Sequence, residues 1–145
     1  MNPSAILYVD DERSNLDAFV RSFDDEYRVL TAESAAAALD LLAIENVGVL
    51  VNEDDIPVRP EVRGAAELLG IDPMYVACEG RLVAVMPGDQ ADHALAALRA
   101  HPLGVQASVI GHVTDGPPGI VHLRTAFGGT RIVDLLVGDP LPRIC

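Results

Sequence analysis

The residue whose type most clearly suits chemistry is the last one. Cys145 closes a segment that runs Gly138, Asp139, Pro140, Leu141, Pro142, Arg143, Ile144. A thiolate is a strong nucleophile and sulfur is a good leaving group. A thiol on a chain end therefore suits cargo that is picked up at one site and released at another. Measured from Gly138, such a tail reaches on the order of 20–25 Å when extended. Pro140 and Pro142 keep it out of a helix and lower the cost of ordering it. The α-carboxylate beside the thiol opposes thiolate formation, and Arg143 partly offsets that and can serve in recognition of the tail. The other cysteine is Cys78.

A second chemical pattern is acidic. Asp10 and Asp11 follow the apolar run Ala5, Ile6, Leu7, Tyr8, Val9, and Glu53, Asp54 and Asp55 follow a second run over residues 47–51. Clustered carboxylates hold a hard cation of the Mg²⁺ type through oxygen ligands. The plainer reading is that Asp10 and Asp11 form a solvated strand end and helix cap, where carboxylates are common. His93, His101, His112 and His122 show no metal-ligand spacing, and no metal site is expected from them.

These residues sit in a chain of 145 with a formal charge of -12, half of it hydrophobic and 22% charged. That composition supports a folded core. All its basic residues are arginine. So acidic a surface repels phosphate backbones and anionic lipids, which argues against nucleic-acid and membrane-surface partners. The sequence holds no apolar run of ~18 residues, and Met1, Asn2, Pro3 and Ser4 do not open a secretory signal. The expected compartment is the cytoplasm.

The elements that must position these groups alternate at first. Residues 5–9 read as a buried strand, and 13–25 as a helix with Leu16, Phe19, Val20 and Phe23 on one face. Residues 28–31 read as a strand. Ser34 caps a helix over 35–44, and 47–51 is a third strand. This βαβαβ order predicts a parallel sheet. Pro57 and Pro60 then break the pattern, and the organisation changes near residue 50. A helix is expected over 61–69 with Gly70 as its stop. A hairpin follows, of strands 74–77 and 81–86, then a helix over 90–100. A second hairpin is expected from strands 107–113 and 120–124, and a last strand over 130–136. Gly128 and Gly129 read as the turn before that strand rather than as a phosphate cradle, since no helix follows them.

Residues 1–55 resemble the start of a two-component receiver domain. The likeness rests on Ile6-Leu7-Tyr8-Val9-Asp10-Asp11-Glu12, on Val29-Leu30-Thr31-Ala32, on the alanine-rich helix after them, and on a third strand leading to Ile56-Pro57. It implies that Asp10 and Asp11 match a Mg²⁺-binding pair and that Glu53 stands at the phosphoacceptor position. A signalling or binding module held in one fixed state is then an alternative function, and a fused or truncated fragment without function is another.

Residues 47–145 resemble the hydrogenase expression/formation family HypE over the later part of its AIR synthase-related C-terminal domain. The matching stretches are Ile56-Pro57-Val58-Arg59, Val62-Arg63-Gly64, Glu67-Leu68-Leu69-Gly70-Ile71-Asp72-Pro73, Glu79-Gly80-Arg81-Leu82 and His101-Pro102-Leu103-Gly104. The longest is Arg124-Thr125-Ala126-Phe127-Gly128-Gly129-Thr130-Arg131-Ile132-Val133-Asp134, and the chain ends Pro142-Arg143-Ile144-Cys145. The resemblance implies [NiFe]-hydrogenase maturation. Cys145 would receive a carbamoyl group from a HypF-like carbamoyltransferase and carry it through ATP-driven dehydration to a thiocyanate. Cyanide would then pass to iron on a HypC–HypD-like scaffold. The family's ATP site belongs mainly to a preceding domain, so these 145 residues alone are expected not to hydrolyse ATP, and a full-length HypE is a further possible partner. The expected fold is thus α/β, a partial receiver-like βαβαβ unit joined to an α+β segment of the HypE C-terminal type, with residues 138–145 as a carrier tail.

Overall fold

The structure, a computed structural model, describes residues 5–76 and 81–135. The chain divides into two units, residues 1–50 with 112–122, and residues 51–111 with 123–145. The division falls inside three of the strands.

In the first unit, β1 (Ala5–Val9) pairs in parallel with β2 (Arg28–Ala32), from Ala5 opposite Arg28 to Val9 opposite Ala32. Parallel neighbours need a crossover, and α1 (Arg13–Phe23) supplies it. Its apolar stripe does the packing. Leu16 is buried, and Phe19 stacks on Tyr8 with ring centroids 4.2 Å apart and meets Phe23 at 4.6 Å. Such ring pairs contribute about 0.5–1.5 kcal/mol beyond area burial. After β2, the Ser34 hydroxyl accepts from the Ala37 N–H at 3.2 Å and starts α2 (Ala35–Ile44). Asn46, at φ 60°, ends it. The Asn46 and Val47 amides turn back to the carbonyls of Ala43 and Leu42, at 3.1 and 2.8 Å. This is a Schellman stop with asparagine in the left-handed position.

The next strand, β3 (Gly48–Asn52), does not join β1 and β2. It lies in a four-stranded sheet of order β4-β3-β5-β6, with β4 (Gly111–Thr114), β5 (Val121–Arg124) and β6 (Thr130–Ile132). The single βαβαβ sheet expected from sequence is therefore not formed: β1 and β2 make a two-stranded sheet of their own. Likewise β4 and β5 do not form a hairpin with each other, because β3 lies between them. β3 carries the unbroken apolar run Val49, Leu50 and Val51 and is paired on both edges. Its amides donate to Ile120 on one side (3.0 Å from Val49) and Ile110 on the other (2.8 Å from Asn52). Gly48 lets the 114–117 turn approach, since a Cβ there would lie 2.8 Å from the Pro117 carbonyl oxygen and from Thr114 Oγ1.

In the second unit, α3 (Pro60–Leu69) begins with proline in its first turn and stops at Gly70, φ 66°. The Gly70 and Ile71 amides close it onto Glu67 and Ala66, at 3.3 and 2.9 Å. A 3-10 turn, Pro73–Tyr75, follows, started by the Asp72 carboxylate accepting from the Met74 amide at 2.9 Å. That capped proline turn occupies the start of the strand expected over 74–77, and residues 81–86 are not assigned to a strand; the rest of the expected hairpin, residues 77–80, lies outside the described residues. A further 3-10 turn, Gly88–Gln90, leads into α4 (Ala91–Ala100). Leu123 on β5 is fully buried, and Ala66 on α3 is buried as well. Among the described residues no helix is long and apolar enough to cross a membrane.

Two glycines of α3 give opposite expectations for the same change. At Gly70 the left-handed backbone penalises any Cβ, so Gly70→Ala lowers unfolding free energy by about 1–2 kcal/mol. Gly64 is helical with open space around its would-be Cβ, so Gly64→Ala raises it by about 0.5–1 kcal/mol. Urea denaturation of the two variants checks both signs.

Candidate functional site

The Asp10 carboxylate is fully engaged by its neighbours. Oδ1 accepts from the Glu12 amide at 2.9 Å and from Asn15 Nδ2 at 3.1 Å, and Oδ2 accepts from the Tyr8 hydroxyl at 3.0 Å. The Glu12 amide first, and Asn15 after it, hold this carboxyl below its ordinary value, while the same bond to Asp10 raises the Tyr8 phenol. This is the geometry of an aspartate that turns the chain from β1 into α1, and it ties the Tyr8 ring to the face on which Phe19 stacks. Asp11 is exposed and, like Asp10, belongs to the first unit.

Glu53 belongs to the second unit, on the 3-10 turn Glu53–Asp55 that ends β3. Its Oε2 accepts from the Ala126 amide at 3.0 Å. Beside it, Asn52 Nδ2 donates to Asp55 Oδ2 at 2.9 Å, and Ser108 Oγ donates to the Asp55 carbonyl at 2.6 Å. The structure thus uses Glu53 as an anchor for the turn between β5 and β6. Among the described residues no group of three or more His, Cys, Asp or Glu is gathered so as to hold a metal ion.

The anchored turn leads toward the tail. Within it the Thr125 amide donates to the Gly129 carbonyl at 2.8 Å and the Gly128 amide returns to Thr125 at 2.9 Å. Gly128 and Gly129 therefore act as a tight turn, and β6 follows directly. Arg131 on β6 is fixed twice. Its Nη2 lies 2.5 Å from Asp72 Oδ2, and its guanidinium sits 5.9 Å from the centre of the Tyr75 ring. Partial burial acts to lower the Arg131 pKa, but Tyr75 and the Asp72 carboxylate outweigh it and hold the guanidinium firmly charged. Sequence reasoning did not single out this cluster. Its one local signal was Asp72-Pro73, a capped turn; the 59-residue separation from Arg131 hid the rest.

The consequence is a rigid root for the C-terminal segment. Glu53 pins the turn before β6, and Asp72 with Tyr75 pins β6 itself. Ten residues then separate Leu135 from Cys145, a span of at most ~35 Å. Cys145, Arg143 and Cys78 lie outside the described residues, as does the tail from residue 136.

Comparison with known proteins bears on the same stretch. Residues 30–124 match the family described as AIR synthase related protein, C-terminal domain. That match begins inside the segment that resembles a receiver. The chain is 50% identical over 119 residues to the carbamoyl dehydratase HypE of Rhodobacter capsulatus, covering 81% of this chain and 35% of that protein. A crystal structure of the hydrogenase maturation protein HypE superposes with a TM-score of 0.67 at 38% identity, covering 77% of this chain and 36% of that one. A HypE–HypF complex gives a TM-score of 0.60 at 35% identity, covering 69% and 32%. The chain spans about a third of the length of the curated relatives it matches.

Two expectations follow. Arg131→Met removes the charged pair and the ring contact and lowers stability by about 1 kcal/mol, a modest figure because the pair is a third exposed. Arg131→Lys restores less than half of it, since an ammonium cannot lie flat on the Tyr75 ring. Thermal melts of both variants test this. For Asp10, the depressed folded pKa means that its contribution is present above the ordinary carboxylate pKa of about 4 and is lost as pH falls through the folded value. Wild-type stability therefore drops on acidification below about pH 4, and Asp10→Asn, measured by urea denaturation at several pH values, shows a shallower drop.

Proposed function

The chain belongs to the family of AIR synthase related proteins, matching its C-terminal domain, and from that membership we propose that it serves [NiFe]-hydrogenase maturation with Cys145 as a carrier thiol. The observation that carries the reading is the 50% identity over 119 residues to a carbamoyl dehydratase HypE. The sequence ending Pro142-Arg143-Ile144-Cys145 supports it.

In this reading the Cys145 thiolate attacks the carbamoyl carbon held by a carbamoyltransferase, and the carrier group of that enzyme leaves. The product is an S-carbamoyl cysteine. ATP then phosphorylates the amide oxygen. Loss of phosphate and of the nitrogen-bound protons converts the carbamoyl group to a thiocyanate. Cleavage of the S–CN bond to thiolate and iron-bound cyanide takes up two electrons, which a reductant acting at the iron scaffold supplies, so the sulfur ends as it began. Among the described residues, β6, which precedes the C-terminal segment in sequence, is held by Arg131 through Asp72 and Tyr75.

The partners of this cycle are a HypF-like carbamoyltransferase, which the HypE–HypF structure makes the first candidate, and a HypC–HypD-like iron scaffold. The relatives are about three times as long as this chain. We assign the ATP chemistry to what lies outside the matched third, and a full-length HypE is the natural source of it.

The test is mass spectrometry of the C-terminal peptide after incubation with carbamoyltransferase, ATP and carbamoyl phosphate. The expected result is the mass of one carbamoyl group on Cys145, absent in Cys145→Ala and kept in Cys78→Ala. An unmodified peptide, under conditions that modify a full-length relative, would sink the proposal.

A further inference from the structure

The first unit holds a cleft of about 340 Å³ that the carrier cycle does not use. Its floor is apolar: Leu16 and Ala32 are buried and Ala37 is half-buried. Its rim is polar, with Arg13, Asp17, Thr31 and Glu33 exposed. Thr31 and Ala32 end β2, and Arg13 opens the helix that follows β1, so the cleft lies at the carboxyl ends of two parallel strands. Open α/β sheets bind their ligands at that edge. The volume falls within the ~300–1,000 Å³ of small-molecule sites. The charges say more. Arg13 and Asp17 are four residues apart on α1, with Cβ atoms about 5–6 Å apart, near enough to pair. They do not pair. Arg13 Nη1 donates instead to Glu33 Oε1 at 2.8 Å, just past the end of β2. Asp17 is left with no hydrogen bond or ion pair among the described residues, and so is the Thr31 hydroxyl. Arg13 Nε and Nη2 are likewise unused there. A guanidinium with spare donors and a free carboxylate thus stand one helical turn apart above an apolar floor.

We propose that this cleft binds a free α-amino acid with a short aliphatic side chain. The ligand carboxylate accepts from Nε and Nη2 of Arg13. Its ammonium donates to the Asp17 carboxylate and to the Thr31 hydroxyl oxygen. Its side chain covers Leu16, Ala32 and Ala37. An α-amino acid bears both charges on one carbon, which suits a cation and an anion that are neighbours on one helix face. Either pole alone fits worse. An amine without the carboxylate leaves the spare Arg13 donors facing a cation. A carboxylate without the ammonium meets Asp17 unscreened. The charged groups are open to water, so the affinity is modest, with a dissociation constant on the order of 1 mM. The site involves neither Cys145 nor the C-terminal segment, so it stands or falls apart from the carrier reading.

The test is an NMR titration of the full ¹⁵N-labelled chain at neutral pH with L-leucine up to about 20 mM, following the Ala32, Glu33 and Ala37 amides. Two further probes each lack one pole: 3-methylbutylamine has no carboxylate and 4-methylpentanoate has no ammonium. Asp17→Asn and Arg13→Gln are titrated alongside. Both side chains are exposed, so the spectra of the free variants keep the wild-type dispersion. The expected result is a saturable shift with leucine, and a dissociation constant raised at least about tenfold for each one-pole probe and in each variant. No saturable shift with leucine overturns the proposal. So does a one-pole probe that binds as tightly as leucine, or a pair of folded variants that bind leucine as the wild type does.

Discussion

The arrangement depends on the pairing of β3, which has a partner on each edge. This strand lies between β4 and β5 rather than at a margin, and its apolar run Val49, Leu50 and Val51 is partly covered from water. That placement keeps it out of the parallel pair that precedes it. It also separates two strands that are close in sequence and short enough to have formed a hairpin. The end of β3 carries Glu53 to where its carboxylate receives the Ala126 amide, so the pairing of one strand decides where a turn some seventy residues later is held.

Local stops and starts were legible in the sequence because their physics is local. Ser34 caps α2 and Gly70 ends α3, as their residue types imply. Asn46 performs the same task as Gly70, but asparagine in a left-handed position looks like any loop residue until the backbone is seen. Pairing was much less legible. The run 82–86 has the propensity of a strand but is not assigned to one. Residues 74–76 have it too, yet Asp72 and Pro73 override it by capping a tight turn.

The chemistry divided in the same way. Asp10 and Asp11 have the composition of a cation site, but composition does not record that Tyr8, Glu12 and Asn15 already take up the Asp10 oxygens. Glu53 was singled out for charge and acts through a hydrogen bond to a distant amide. The Arg131 cluster escaped notice because its members are ordinary one by one. Only the fold brings a capped turn, a tyrosine ring and a strand arginine together.

The position of β3 also orders events in time. Its flanking strands lie about sixty and about seventy residues further along the chain, so this sheet cannot close until both have been made. The β1–α1–β2 unit has no such wait, because its contacts are near in sequence. During synthesis an early, self-contained piece is therefore followed by a greasy strand that must remain uncovered until its neighbours arrive. A cell making this protein meets its stickiest intermediate while β3 waits for β4 and β5, before the segment bearing Cys145 has left the ribosome.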